Sequence, residues 1–400
     1  MTDVLIAGAG PVGLTLALRL ARHGIYATVL EALDAPERDL RASTFHPPTL
    51  DLLDEDGITP QLIVNGLIAP TWQVRMHATG ESAEFDLSIL RGHTRHPYRA
   101  QCEQAKLVDY LLARLASVYP QVQVRFGHRV TTLETRDDSV TMVCNTSAGE
   151  QRFSARYAVG CDGARSAVRK HLGLGFEGET FPENVILAAT DFPFHDHLPG
   201  LSTINYCWKD DGTFSLLRLP NLWRVSLYPD EGESIEAALE DDSIERKLQQ
   251  ICANPAGYRI AAKRTYRIHQ RVVERYRVGR VILAGDAAHI NSPSGGMGMN
   301  GGIHDAFNLA DKLAVTLASG LAAPNEAPLD HYERQRRPVA LEHVLAQSGR
   351  NRARMQERDP VKRGAALAEL QAIARDPERA LKHLLNTSMI TGLKQAEGVP

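Results

Sequence analysis

The chain has 400 residues, 43% of them apolar and 23% charged, a length that suggests two or three domain-sized units and allows a sizeable core. Its 45 Lys+Arg against 48 Asp+Glu leave a net charge of -3, so no basic excess exists to draw nucleic acid or an anionic lipid surface. No apolar run reaches the roughly 20 residues of a spanning helix, and the first apolar stretch, Val4 to Ala9, lacks a charged leader. The expectation is a soluble, cytoplasmic protein without integral membrane association, whose five scattered cysteines are reduced thiols and form neither a disulfide framework nor a metal site.

In chain order, Asp3 to Ala9 reads as a compact apolar strand, Pro11 to His23 as a helix with apolar residues at helical spacing, and Ile25 to Glu31 as a second strand. Gly8, Gly10 and Gly13 fall at the first strand-to-helix turn, and Glu31 follows Gly10 by 21 residues. In this βαβ context the glycines have separate tasks: Gly8 permits the tight turn, Gly10 lets backbone approach a pyrophosphate, and Gly13 lets helix and strand pack closely. The helix start, including Pro11 and Val12, then faces phosphate with its free amides. Glu31 is placed to accept hydrogen bonds from a ribose diol, which favours FAD or NAD over NADP at this site.

Arg41-Ala42-Ser43 leads into an expected helix through Leu53, a mixed segment runs to Pro97, and Glu103 to Tyr119 reads as an amphipathic helix. Strands follow from Gln121 to Cys161. Asn184 to Phe192, Thr203 to Trp208, Thr213 to Leu219 and Trp223 to Tyr228 are also strand-like, before a helix from about Ser234 to Cys252. A further strand, Arg280 to Leu283, returns to the first pattern. Beyond about Pro324 the sequence reads as helical, with charge runs expected to be solvated faces and no chemical constellation in the tail. His93/His96 and His195/His197 lack a third ligand at clear spacing, so no metal is expected.

Three segments together carry a family resemblance. Beside Gly8, Gly10, Gly13 and Glu31 stand Gly160-Cys161-Asp162-Gly163-Ala164-Arg165-Ser166 with Arg169, and Gly285-Asp286-Ala287-Ala288-His289 followed by Pro293, Gly295, Gly296, Gly298, Asn300 and Asp305. In this order and at these separations the chain resembles the class A FAD-dependent aromatic hydroxylases, flavoprotein monooxygenases of the p-hydroxybenzoate hydroxylase fold. The resemblance implies an α/β fold: a Rossmann-like FAD-binding domain, an inserted β-sheet substrate domain and a helical C-terminal segment. The expected division is 1–75, 98–183 and 270–345 for the FAD domain, 76–97 and 184–269 for the substrate sheet, and 346–400 for the C-terminal helices.

It further implies that Asp286 holds the ribityl chain of FAD and that Pro293, Gly296, Gly298, Met299 and Asn300 approach the flavin ring with backbone donors. Asp162, Gly163 and Arg165 serve FAD and the nicotinamide cofactor together, with Arg165 and Arg169 expected on one helix face. Arg41 and Gln101 are further FAD contacts by position. The implied reaction is hydroxylation of a small aromatic substrate: NADH or NADPH reduces FAD and leaves, O2 adds at flavin C4a, and the ring takes one oxygen atom. Candidates for activating or holding the ring are His46, Tyr206, Arg224, Tyr228 and Pro293. Alternation in Trp223 to Tyr228 places Arg224, Ser226 and Tyr228 on one face, which lines a pocket holding a substrate carboxylate through Arg224 or is simply the wet face of the sheet. Open alternatives are a larger polycyclic or quinone-type substrate, a flavin reductase without oxygen chemistry, and a flavin-bound sensor. The partners expected are small molecules, and a homodimer remains open.

Overall fold

The computed structural model describes residues 2–38, 41–318 and 325–400. Its first layer is a six-stranded sheet in the order Arg277–Val278, Val281–Leu283, Tyr157–Gly160, Val4–Ala7, Ala27–Leu30, Val122–Arg125. Four consecutive pairings are parallel, and the short edge strand Arg277–Val278 is antiparallel. The central strands are buried at every residue, as expected of a parallel sheet covered on both faces. Helix Pro11–Arg22 follows the first strand and packs against the long helix Gly298–Ala318. That contact is close because a Cβ on Gly302 would stand 2.5 Å from a methyl of Val12.

A three-stranded antiparallel sheet, Arg129–Thr135, Val140–Thr146 and Gly149–Ala155, is inserted before the strand Tyr157–Gly160. The largest sheet has eight strands, ordered His289–Ile290, Ile260–Val273, Phe176–Thr190, Trp223–Leu227, Gly212–Arg218, Ile204–Lys209, Thr71–Met76, Ser82–Asp86. Its two long strands, Phe176–Thr190 and Ile260–Val273, pair antiparallel and run through positions 183/184 and 269/270, where the sequence reading divided the chain. The strand Thr71–Met76 also lies wholly in this sheet, parallel to Ile204–Lys209. Among the described residues no helix is long and apolar enough to cross a membrane.

Several local expectations change. The segment after Arg41 is first a two-residue strand, Thr44–Phe45, paired with Arg99–Gln101, and the helix starts at Pro47, where a missing N–H costs nothing. The expected helix from Ser234 to Cys252 is two, Ile235–Ala238 and Asp241–Ile251. In the tail, helix Ala327–Val339 contains Pro338 and widens into a π turn at Ala340–Leu345 before Ala346–Gln356 continues. The tail is also not a set of solvated charged faces. Arg336 is 1% exposed and donates from Nε to Asp305 at 2.7 Å, and Arg363 is buried against the carbonyls of Glu357, Lys209 and Gly212. Its helices pack on the eight-stranded sheet through Met355, Leu367, Leu370 and Leu384, which share a core with Trp72, Phe85 and Trp208.

Candidate active site

At the carboxyl end of the first strand, Gly8 has φ 100°, and a Cβ there would meet the Cys161 carbonyl at 2.5 Å. A Cβ on Gly13 would stand 2.0 Å from the Gly8 carbonyl, so strand and helix meet without room for a side chain. Gly10 differs: its φ is -76° and a Cβ would meet nothing within 4 Å. The missing side chain leaves a clear approach to the start of helix Pro11–Arg22, whose first amides have no helical partner. Glu31 lies beside this turn, its Oε2 accepting from Ala9 N at 2.7 Å and its Oε1 from Leu33 N at 2.9 Å, and each oxygen keeps further acceptor capacity.

The Asp162-Gly163 turn packs against the same glycines. The Asp162 carboxylate accepts from Ser166 Oγ at 2.5 Å and from Ala167 N and Val168 N at 2.7 and 3.2 Å. It thus caps the short helix Ala167–His171, while Gly163 turns at φ 76°. Arg165 lies before the Ser166 cap and is exposed, so it shares no helix face with Arg169. Arg169 instead turns inward, donating to the carbonyls of Ala287 (3.0 Å) and Ala164 (2.8 Å) with its guanidinium 3.9 Å over the Phe176 ring. It ties the Asp162 turn to the Asp286 turn.

Asp286 occupies a single 3-10 turn, Gly285–Ala287, after the strand Val281–Leu283. A buried ionic knot fixes that turn: Asp305 accepts from Gly285 N (3.1 Å), His289 Nε2 (2.8 Å) and Arg336 Nε (2.7 Å). Burial alone would raise the Asp305 carboxyl, but Arg336 and His289 hold it down at about 2. Asp286 itself is exposed toward the cleft and makes no hydrogen bond among the described residues. The protein around it pushes its carboxyl up, opposed by the charges of His289 and Arg41. Arg41 is exposed and pairs with Glu37 at 2.5 Å, and its carbonyl accepts from Arg224.

The glycine loop follows. Gly295 and Gly296 have φ 101° and 67°, and Gly296 lies against Thr44. Asn300, in the first turn of helix Gly298–Ala318, donates to the carbonyls of Thr44 (2.8 Å) and Gly296 (2.7 Å) and accepts from His46 N (2.9 Å). Its side chain therefore clamps the loop to the Thr44–Phe45 strand. Met299 is buried, and Gly298 packs on Asn291. Gln101 is buried on the next strand, bonding Ser43 and Thr44 at 3.1 and 2.9 Å.

Two adjoining cavities open beside this loop. The larger, about 70 Å³, is lined by Tyr206, Arg224, Ser226, Tyr228 and Tyr266 from the eight-stranded sheet and by Pro293 and Gly296 from the loop. The alternation expected in Trp223–Leu227 thus brings Arg224, Ser226 and Tyr228 to one wall, with Trp223, Val225 and Leu227 buried behind. Burial raises the Tyr206 hydroxyl, pushes Tyr228 up to about 12 and raises Tyr266, so all three are donors at neutral pH. His46 does not join them. Its ring lies beneath the loop with Nε2 against Gly295 O at 2.8 Å, and burial and Arg99 hold it well below the usual imidazole range. The smaller cavity, about 20 Å³, shares Tyr206 with the larger and is lined by Trp72, Arg99, Arg354 and Thr387. Arg99 escaped the sequence reading although the period-2 strand Arg99–Gln101 puts it on the face of Gln101. Arg354 and Met355 gave no signal, since the wide turn before them removes a fixed helical period.

The cleft fits a dinucleotide: phosphate-ready amides with an open approach at Gly10, and a free carboxylate, Asp286, at the far strand end, where ligands of open α/β sheets bind. A family model described as FAD binding domain matches residues 1–347. The para-nitrophenol 4-monooxygenase of Pseudomonas sp. (strain WBC-3) is 33% identical over 407 residues, covering 99% of this chain and 98% of that protein. The 6-hydroxy-3-succinoylpyridine 3-monooxygenase HspB of Pseudomonas putida (strain DSM 28022 / S16) is 33% identical over 358 residues, covering 89% and 90%. The crystal structure of p-nitrophenol 4-monooxygenase PnpA from Pseudomonas putida DLL-E4 superimposes with a TM-score of 0.91 at 31% identity, over 98% of each chain. The chain belongs to the class A FAD-dependent aromatic hydroxylases, the flavin monooxygenases that use a reduced nicotinamide and O2 to hydroxylate an aromatic ring.

Proposed function

We propose that this hydroxylase acts on a small single-ring substrate bearing an acidic group, a phenolic or N-heteroaromatic acid. The observation that carries the reading is the larger cavity: Arg224, three tyrosine hydroxyls and Ser226 are all donors, and among the described residues no carboxylate lines it. Burial lowers the proton affinity of Arg224 yet leaves it a cation, and among the described residues it pairs with no acidic side chain. An anionic group on the substrate supplies the missing partner, by a bidentate pair where its plane allows. By their names, the two full-length relatives above act on a nitrophenol and a hydroxypyridine, which are rings of this size.

FAD is held by the turn at Gly8, Gly10, Pro11, Val12 and Gly13, by Glu31 and Asp286, and by the loop from Pro293 to Asn300; when bound it carries electrons from the nicotinamide to O2. Arg41, Gln101, Gly163 and Arg165 complete our set of contacts, with the Asp162 carboxylate building the turn. The chain's own residues then orient the ring and raise its electron density. With tyrosines protonated and His46 outside the cavity, none of the wall groups is a base at neutral pH. Instead the cationic, donor-rich wall lowers the pKa of a bound phenol, and the ring enters reaction as its anion. Tyr206 and Tyr228 donate to that oxygen or to the acid, Pro293 packs against the ring, and Met355 from the tail closes the cavity against water, which would divert the reaction to hydrogen peroxide.

The test is a screen of phenolic and pyridine carboxylic acids with NADH and NADPH, following nicotinamide oxidation, peroxide and hydroxylated product together. Stimulated oxidation with stoichiometric product is expected for at least one acid. Peroxide without product from every acid, with product from a neutral or polycyclic compound, would overturn the assignment.

A further inference from the structure

The smaller cavity holds a cation that no carboxylate among the described residues pairs. Arg99 is 2% exposed; its Nη2 donates to the Thr387 carbonyl at 3.2 Å, and its buried Nε has no hydrogen-bond partner. Its guanidinium lies 5.3 Å over the Trp72 ring and faces the Tyr206 hydroxyl. A second guanidinium, Arg354, lines the same space. Among the described residues neither pairs with a carboxylate. The contrast within this molecule is direct: Arg336, equally buried, has Asp305 at 2.7 Å, and Arg363 has three carbonyls within 3.1 Å.

A buried cation without a carboxylate partner is among the costlier features a fold can keep, and here a second, half-buried guanidinium faces the same space. At about 20 Å³ the cavity admits one or two groups the size of water and no second ring. Tyr206, Ser294 and Met355 line both cavities, so the small one adjoins the larger. Arg224 lines the larger cavity and Arg99 the smaller, and the charges of both act on the Tyr206 hydroxyl.

We propose that the cavity between Arg99, Arg354, Trp72 and Tyr206 is a binding subsite for a small oxyanion. The anion is either a second ionised oxygen of the aromatic substrate or a small free anion such as formate. Its service to the substrate rests on the reading of the larger cavity given above, whereas anion binding itself does not. A ring with two ionised groups at opposite ends spans the two guanidiniums, with Tyr206 beside it.

The experiment uses the FAD-loaded enzyme without aromatic substrate. Formate is titrated calorimetrically, and bromide is located by anomalous scattering in crystals. Saturable formate binding, bromide beside Arg99, and at least a tenfold loss of formate affinity in Arg99→Gln with a smaller loss in Arg99→Lys are expected. Equal affinity in wild type and Arg99→Gln, or crystals without bromide in this cavity, would overturn the subsite, and the wild-type crystal decides the matter even if Arg99→Gln fails to fold. A kinetic arm separates the two sources. Formate competing with a phenolic acid but not with its carboxamide places the substrate's own oxygen in the cavity; equal inhibition of both places a free anion there. Should no acid be hydroxylated, the substrate reading fails while the formate and bromide results still decide the subsite.

Discussion

Gly10 and Gly13 stand three residues apart in one turn, and alanine at each should separate cofactor binding from folding. A Cβ on Gly13 would sit 2.0 Å from the Gly8 carbonyl. Relieving that contact to an ordinary van der Waals distance moves the helix start and the strand end apart by more than about 1 Å, through buried backbone. Overpacking of a rigid core costs about 1–3 kcal/mol, and a backbone obstacle belongs at or above the top of that range. Gly10→Ala meets nothing within 4 Å, and φ -76° is open to any residue. Its loss as a helix cap, up to ~1 kcal/mol, is offset by ~0.4–1 kcal/mol from a less flexible unfolded chain. The new methyl projects where phosphate must approach, so FAD affinity should fall at least about tenfold, or ~1.4 kcal/mol. Urea unfolding of FAD-stripped protein and equilibrium titration with FAD measure the two effects separately. Gly10→Ala should unfold within about 0.5 kcal/mol of wild type and bind FAD poorly, while Gly13→Ala should be destabilised before FAD is added. If Gly10→Ala binds FAD normally, or destabilises the stripped protein as much as Gly13→Ala, the assignment of the turn fails.

Asp286→Ala removes a carboxylate without hydrogen-bond partners among the described residues, so it should weaken FAD retention while leaving the stability of stripped protein unchanged; unaltered retention on gel filtration would count against the contact. Arg224→Ala should raise KM for an acidic substrate at least tenfold more than for its carboxamide, and equal effects on the two would remove Arg224 from the carboxylate role. Stability should fall as pH drops below about 6.5, because burial holds His383 at about 4 and His304 at about 3, with arginines adding to the effect. A depressed histidine contributes fully above its unfolded pKa and loses that contribution as pH falls toward its folded pKa, at roughly 1.4 kcal/mol per pH unit for each group. His383→Gln should therefore flatten the urea-derived stability slope between about pH 6.5 and 4 by one such increment, and an unchanged slope would show that His383 is not buried neutral.

The nucleotide half of the fold was legible because its constraints are local. Gly8 and Gly13 are forced by contacts within one turn, and the spacing to Glu31 is set by one helix and two strands. Strand alternation likewise placed Arg224, Ser226 and Tyr228 on one wall. His46 and the Arg165/Arg169 pair misled for the opposite reason. Which side of the Gly295 loop the imidazole occupies depends on Asn300, over 250 residues away, and Ser166 caps the short helix after Arg165, leaving Arg169 to turn inward. The tail was the least legible. Arg336, Arg354 and Arg363 look alike in sequence as charged helix residues, and only the π turn and the docking on Trp72 and Trp208 decide which point inward.

The buried arginines also separate structure from function within one chain. Arg169 and Arg336 bond carbonyls or a carboxylate of the protein itself, and they hold the Asp162, Asp286 and Gly285 turns in place. Arg99 and Arg224 each donate to a main-chain carbonyl, pair with no carboxylate among the described residues, and border a cavity. A fold shaped by stability alone would pair or replace such groups, since a buried cation left without its counter-charge costs several kcal/mol. On the proposed reading that cost is recovered when an anion enters, and the binding free energy available to the substrate is stored in the protein beforehand as unsatisfied charge. The same reading has the wall favour ionised over neutral rings with no acid or base among its described residues, its positive field stabilising a phenol in the reactive anionic form.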